Sequence, residues 1–281
     1  MKILRFILCF LAFLFSSVGY IYALDADEAF IDIERDYEYY NELQYLLDEW
    51  FITPDEWNLL NPERNIKKWE FSSNAYSLTC DECVQPETAP SLLIEYQGLW
   101  SFFDILPENP YFYCSEASKD QGLFYTLPTS HVCESWVSQA WASPFCEQNN
   151  VSLQEALKYW LQASWLFSND QYRAELENIS LWSDLNPSLS NDVSFLNSDG
   201  TTNPYFLYIR KALWYVLEER DLDGNIRNYD LLNVNSENDL LPNTFLTREQ
   251  YIIIMYIFAK SMDCGNNSAD FATFIDIYSV I

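Results

Sequence analysis

The densest run of chemistry-bearing residues in the chain is Glu219-Arg220-Asp221-Leu222-Asp223-Gly224-Asn225-Ile226-Arg227-Asn228-Tyr229-Asp230. Glu219, Asp221 and Asp223 put a carboxylate at every second position, Asn225 adds a backbone carbonyl, and Asp230 supplies a last carboxylate. A hard divalent cation takes about six to eight oxygens, and alternate residues of a tightly turned loop point theirs inward, so the spacing reads as a calcium loop. Gly224 offers the positive φ that the sharp turn needs. Ile226, between polar neighbours, is expected to pack inward against a partner loop. The other chemistry is thinner. Cys80, Cys83, Cys114, Cys133, Cys146 and Cys264 form an even set that reads as three disulfides in an oxidising lumen, with the pairing open. Cys80 and Cys83 also have the spacing of half a zinc site or a redox pair, but no second CxxC follows and His131 is the only histidine. Any Ser/His or Cys/His nucleophile must use His131, and Pro128-Thr129-Ser130-His131 reads as a turn. The 42 acids and ten tryptophans would furnish the carboxylate pair and stacking platforms of a glycoside hydrolase, yet no spacing singles out a pair. No Gly-rich phosphate loop, HExxH helix or GxSxG elbow is present.

The acidic loop needs rigid flanks. Pro204 to Leu217 is expected to be a helix that leads directly into it. Helix, loop and acid register together resemble an EF-hand. The resemblance implies a helix-loop-helix with one weak calcium site, of dissociation constant about 10⁻⁴ to 10⁻³ M, because Glu219 is long for the first slot and Asp230 short for the last. EF-hands pair, and a degenerate second hand follows: Thr247-Arg248-Glu249-Gln250 opens a helix running to Asp263-Cys264-Gly265-Asn266-Asn267, which resumes at Asp270 to Ile275. The resemblance covers residues 204–281.

Upstream, Tyr39, Leu43, Leu46, Leu47 and Trp50 recur at helical spacing, and Thr53-Pro54-Asp55-Glu56 is read as the start of another helix. Ser152 and Glu155 form a capping box ahead of Leu157, Trp160, Leu161 and Trp165. Between them, residues 71–150 carry five cysteines and read as a loop-rich, disulfide-pinned middle. The fold class is therefore mainly α, with residues 24–200 as an acidic, aromatic-rich helical region and 204–281 as the EF-hand-like pair. No linker or repeat marks a boundary, and the break is placed in the polar stretch 168–203.

Lys2 and Arg5 precede an apolar run and Ser16-Ser17-Val18-Gly19, which reads as a signal peptide over residues 1–23. Cleavage after Ala23 is favoured over Gly19, and an uncleaved anchor is the competing reading. The compartment is then the secretory lumen or the exterior, where the sequons at Asn150, Asn178 and Asn266 would carry glycans in a eukaryotic host. With 15 basic against 42 acidic side chains, the formal charge of -27 opposes binding to nucleic acid or an acidic membrane surface. The expected function is that of a secreted, acidic, calcium-binding module without enzymatic activity, meeting a protein or carbohydrate partner. The alternative is a secreted glycosidase-like hydrolase with an accessory calcium site.

Overall fold

The computed structural model describes residues 24–52, 54, 58–79, 102, 105, 109, 112–124, 133, 145–164, 166–180, 188–220, 226–232, 235–262 and 273–274. The helices are α1 (Ala26–Ala29), α2 (Tyr40–Asp48), α3 (Lys68–Tyr76), α4 (Phe112–Asp120), α5 (Leu153–Ala163), α6 (Asn169–Ser180), α7 (Phe206–Ala212) and α8 (Arg248–Ser261). The strands are β1 (Val216–Arg220), β2 (Ile226–Asp230) and β3 (Thr273–Phe274). The described chain is mainly helical. One hydrophobic core runs from Ala26 to Ala259, so regions 24–200 and 204–281 share it.

No repeat is expected from the sequence, but three are built into the fold. Three helices start alike: a buried residue (Ile66, Val151, Leu246) precedes a capping position (Lys67, Ser152, Thr247) whose N–H donates to the third helical side chain (Glu70, Glu155, Gln250) at 3.0, 2.9 and 3.1 Å. Five residues ahead of the buried one, each repeat holds a non-glycine residue at positive φ: Asn61 at 49°, Cys146 at 58° and Leu241 at 51°. In each, that residue's carbonyl accepts from the N–H three positions on, closing the same turn.

The repeats meet in a ring. The N–H of Ile66 donates to Leu246, that of Leu246 to Val151, and that of Val151 to Ile66, at 2.9, 2.9 and 3.2 Å. Antiparallel bridges Asn65–Thr247, Lys67–Asn150 and Ser152–Phe245 surround this triangle. The first N–H groups of α3, α5 and α8 have no partner within their own helices, and each donates to the next repeat's turn: Lys68 to Asn149, Leu153 to Thr244, Arg248 to Arg64, all at 2.9 Å. An earlier helix of each repeat packs on the long helix of its neighbour: α4 on α3, α7 on α5, and α2 on α8, which closes the circle. At the ring's centre the Trp160 ring packs against Phe71, Tyr251 and Phe258 at 5.1 to 5.8 Å between centroids.

A sequence motif introduces the turns. In Phe30-Ile31-Asp32-Ile33 and Ser190-Asn191-Asp192-Val193 the aspartate reaches the positive-φ turn of its own repeat. Asp32 accepts from the N–H groups of Leu60 and Asn61 at 2.8 and 2.7 Å, and Asp192 from those of Leu240 and Leu241 at 2.9 and 2.8 Å. Phe102-Phe103-Asp104-Ile105 repeats the pattern. Phe102 and Ile105 are buried, and Asp104 lies outside the described residues.

Several local expectations hold: α2, α5 with its Ser152/Glu155 box, and α8 opened by Thr247. The helix expected to start at Thr53 lies largely outside the described residues, and Asn58–Leu60 is irregular, with Asn58 at φ 51°. The helix expected through Leu217 is corrected. α7 ends at Ala212, and the chain enters a β1–β2 hairpin found in the third repeat. Thr273–Phe274, expected in a resumed helix, instead pairs with β1, giving the order β2-β1-β3. Tertiary pairing overrides the helical propensity of Val-Leu-Glu-Glu-Arg, and Asp223-Gly224 between two such runs is also a hairpin signal.

Candidate functional site

The hairpin separates two of the residues expected to share a cation. In its register Glu219 pairs with Arg227, and Asp230 with Val216. Successive strand residues face opposite sides, so Glu219 lies on one face with Leu217, Arg227 and Tyr229, while Asp230 lies on the other. Asp230 is also four strand positions from the loop, about 14 Å along the strand. Glu219 is engaged elsewhere: it accepts from the Tyr256 hydroxyl at 2.6 Å and pairs with Lys260 at 3.5 Å. Glu219 and Asp230, two of the five expected ligands, are therefore held on opposite faces of the hairpin. Asp221, Asp223 and Asn225 lie outside the described residues, and among the described residues no cluster of His, Cys, Asp and Glu is arranged to hold a metal. Ile226, expected inside, is 53% exposed.

A disulfide joins Cys133 to Cys146, fixing the second repeat's turn, and Cys114 is disulfide-bonded to a partner outside the described residues. Cys80, Cys83, Cys264, His131, Asn266 and residues 1–23 also lie outside them. Asn178 is exposed on α6. The Asn150 side chain accepts from Lys67 Nζ at 2.9 Å beside the central triangle. No helix among the described residues is long and apolar enough to cross a membrane.

What the ring does create is a groove between α3 of the first repeat and α8 of the third, with a cavity of about 120 Å³. Its apolar floor comes from Phe30, Ile52, Leu60, Ile66 and Ile252. Its polar side carries Trp69, Glu70, Ser73, Asn74 and Tyr251, which share a helical face by their spacing along α3 and α8.

Among the described residues Glu70 is its one lining acid, 5% exposed, and is held from three directions. The Lys67 N–H donates to it at 3.0 Å, Arg64 at 2.5 Å, and the Arg248 guanidinium through a second short contact. Arg248 also donates to the carbonyls of Leu59 and Leu60 at 2.9 and 2.6 Å, so its charge and donors are used in the seam. Tyr251 is different. It is 3% exposed, and among the described residues its hydroxyl makes no well-formed hydrogen bond, the Asn74 carboxamide being the side chain that interacts with it. Burial pushes this phenol well above its ordinary range, so it stays protonated and able to donate.

Sequence reasoning missed this groove because its residues come from segments far apart in the chain. The signal that would have found it is the recurring box of capping residue and third-position Glu or Gln. No family model matches the chain, and none of the curated proteins does.

Proposed function

We propose that the protein is a secreted, non-enzymatic binding module whose groove between α3 and α8 takes one sugar unit of a neutral glycan. The carrying observation is the buried Tyr251 hydroxyl, which makes no well-formed hydrogen bond among the described residues, in a groove that also offers Ser73, Asn74 and the half-buried Trp69 ring. Sugars present hydroxyls at their edges and C–H faces to aromatic rings, which is the chemistry this lining complements. A neutral ligand is favoured because Arg64 and Arg248 are already engaged with Glu70 and backbone carbonyls, and the chain's net charge of -27 repels anions at a distance. Among the described residues the groove is lined by one acid, Glu70, where a hydrolase would use a pair.

Titration calorimetry with cellohexaose and chitohexaose tests this reading. Binding is expected for the native chain, with an affinity loss of about fivefold or more in Tyr251→Phe, which removes only the hydroxyl. No binding to either, or binding indifferent to Tyr251→Phe, refutes the site. Release of reducing ends would instead favour the hydrolase.

Calcium association is proposed for the hairpin loop Asp221–Asn225 alone, where three oxygen-bearing residues alternate. Calcium should raise the melting temperature of the native chain more than that of Asp223→Ala. Equal shifts would mean that calcium acts only by screening the acidic surface.

A further inference from the structure

The three seams of the ring are topologically equivalent but chemically unlike. Between the first and second repeats, Phe71 packs on Phe124 and Tyr159 with centroids 6.1 and 5.1 Å apart, and the Ser72 and Ser115 hydroxyls meet at 3.4 Å. Between the second and third, Tyr208 packs on Phe167 and Tyr172 at 5.5 and 5.0 Å, and its hydroxyl accepts from Gln162 at 2.9 Å. The seam between the first and third repeats relies far more on charge. Beside the Tyr45–Tyr256 and Phe71–Tyr251 ring pairs, at 5.3 and 5.9 Å, Glu70 meets Arg248, Glu42 meets Arg227 at 2.8 Å and the Tyr229 hydroxyl at 2.6 Å, and Glu249 accepts from Tyr37 at 3.3 Å. Buried ion pairs return little net stability because each charge first gives up its hydration. This seam also contains the groove cavity, whose lining atoms lack contacts on one side, and two buried polar atoms without a well-formed hydrogen bond among the described residues, Glu42 Oε2 and Tyr251 Oη.

We propose that the ring opens at the seam between its first and third repeats before either of the other two, so that access to the groove is controlled by this opening; the second clause rests on the groove being the binding site. Opening there breaks the contact of α2 with α8 and the Glu70–Arg248 pair while leaving the other two seams closed.

The ring supplies its own reporters. The N–H groups of Ile66 and Arg248 cross this seam, those of Val151 and Lys68 cross the first-to-second seam, and those of Leu246 and Leu153 cross the second-to-third. Native-state hydrogen exchange on the whole protein, without ligand, should show Ile66 and Arg248 exchanging about tenfold or more faster than the other four. Glu70→Gln, which keeps the shape and removes the charge, should accelerate that pair selectively. Equal exchange at all six amides, or equal acceleration of all six in Glu70→Gln, overturns the proposal. Chitohexaose and cellohexaose, added next, should slow Ile66 and Arg248 if the groove takes a glycan. Selective fast exchange that neither sugar slows upholds the opening and counts against the glycan reading alone.

Discussion

Deleting the two aspartates that anchor the turns tests whether the repeats are equivalent in energy as well as in geometry. Asp192 accepts two backbone N–H groups and the Ser190 hydroxyl, the last at 2.6 Å, and Asp32 accepts two backbone N–H groups. A hydrogen bond to a charged group contributes about 1.5–3 kcal/mol when water cannot replace it. The N–H of Leu241 is in reach of solvent while that of Leu240 is partly buried, so one donor in each pair is rehydrated after truncation. Asp192→Ala should then cost about 2 kcal/mol and Asp32→Ala about 1–2 kcal/mol. The two turns share no partner, so the double variant should cost nearly the sum. Urea denaturation at pH 7 reads this as a fall in midpoint with unchanged slope. The pH dependence supplies a second check. Burial works to raise the Asp192 carboxyl, but the Ser190 hydroxyl and the N–H groups of Leu240 and Leu241 outweigh it and hold it below the ordinary 3.8. Its contribution is therefore complete above that value and lost as pH falls through the lower folded one, so native chain and Asp192→Ala should converge only in strong acid. A cost below about 0.5 kcal/mol for Asp192→Ala, within the range of ordinary surface substitutions, would refute the anchoring role. A large cost for one aspartate and none for the other would refute the equivalence.

Lys158 is 3% exposed and donates to the carbonyls of Gly122 and Leu123 and to Gln162 at 2.7, 2.6 and 2.8 Å, so Lys158→Met should cost about 1–3 kcal/mol by stranding these acceptors. Burial pushes its amine down to about 7 from 10.5, so the unfolded chain binds a proton that the folded chain releases between those values. Native stability should rise with pH across that window and the rise should vanish in Lys158→Met, as followed by urea midpoints. Gly122 sits at φ +73°, and an added Cβ would meet only Asn169 Nδ2 at 3.6 Å, so Gly122→Ala should cost about 1 kcal/mol through the backbone alone; a neutral effect by thermal denaturation would be inconsistent with that turn. Thiol titration of denatured, unreduced protein should find close to none, with a Cys133–Cys146 cross-linked peptide after digestion; two or more free thiols would contradict the disulfide framework.

Elements whose signals are local were legible in the sequence, and those set by distant pairing were not. The Ser152/Glu155 box and the Thr247/Gln250 box each announce a helix, because capping residues act within one turn. The repeat itself escaped notice because the hub demands only a buried aliphatic residue, and Ile66, Val151 and Leu246 satisfy it without identity. The positive-φ position is still more permissive to the eye: Asn61, Cys146 and Leu241 share a backbone state and nothing in their side chains. Most misleading was residues 219–230. Alternating acids with a central Asp-Gly suit a cation loop, and the same alternation of inward and outward residues suits a hairpin. Only the partners decide, Tyr256 for Glu219 and Glu42 for Arg227, and both lie far away in the chain.

The threefold frame also locates the groove. At the first helical position the repeats carry Lys68, Leu153 and Arg248, and at the third Glu70, Glu155 and Gln250, and across the seam between the third and first repeats Arg248 meets Glu70. Where Arg248 meets Glu70, a planar guanidinium bridges the carboxylate and two carbonyls and holds the groove walls apart around the cavity. Lys68, at the same position of the first repeat, carries its ammonium over the Phe124 and Phe145 rings of the second at 5.1 and 4.9 Å. At the seam between the second and third repeats Gln154 donates to Asn243 at 2.7 Å. The cavity between α3 and α8 thus lies beside the seam that the Glu70–Arg248 pair bridges. Replacing Arg248 by Lys tests that step: a shorter, single-point donor cannot bridge Glu70 and both carbonyls, so glycan binding should weaken while the Val151 and Leu246 amides keep their protection. Undiminished binding would mean that the groove is shaped by its apolar floor and not by the guanidinium.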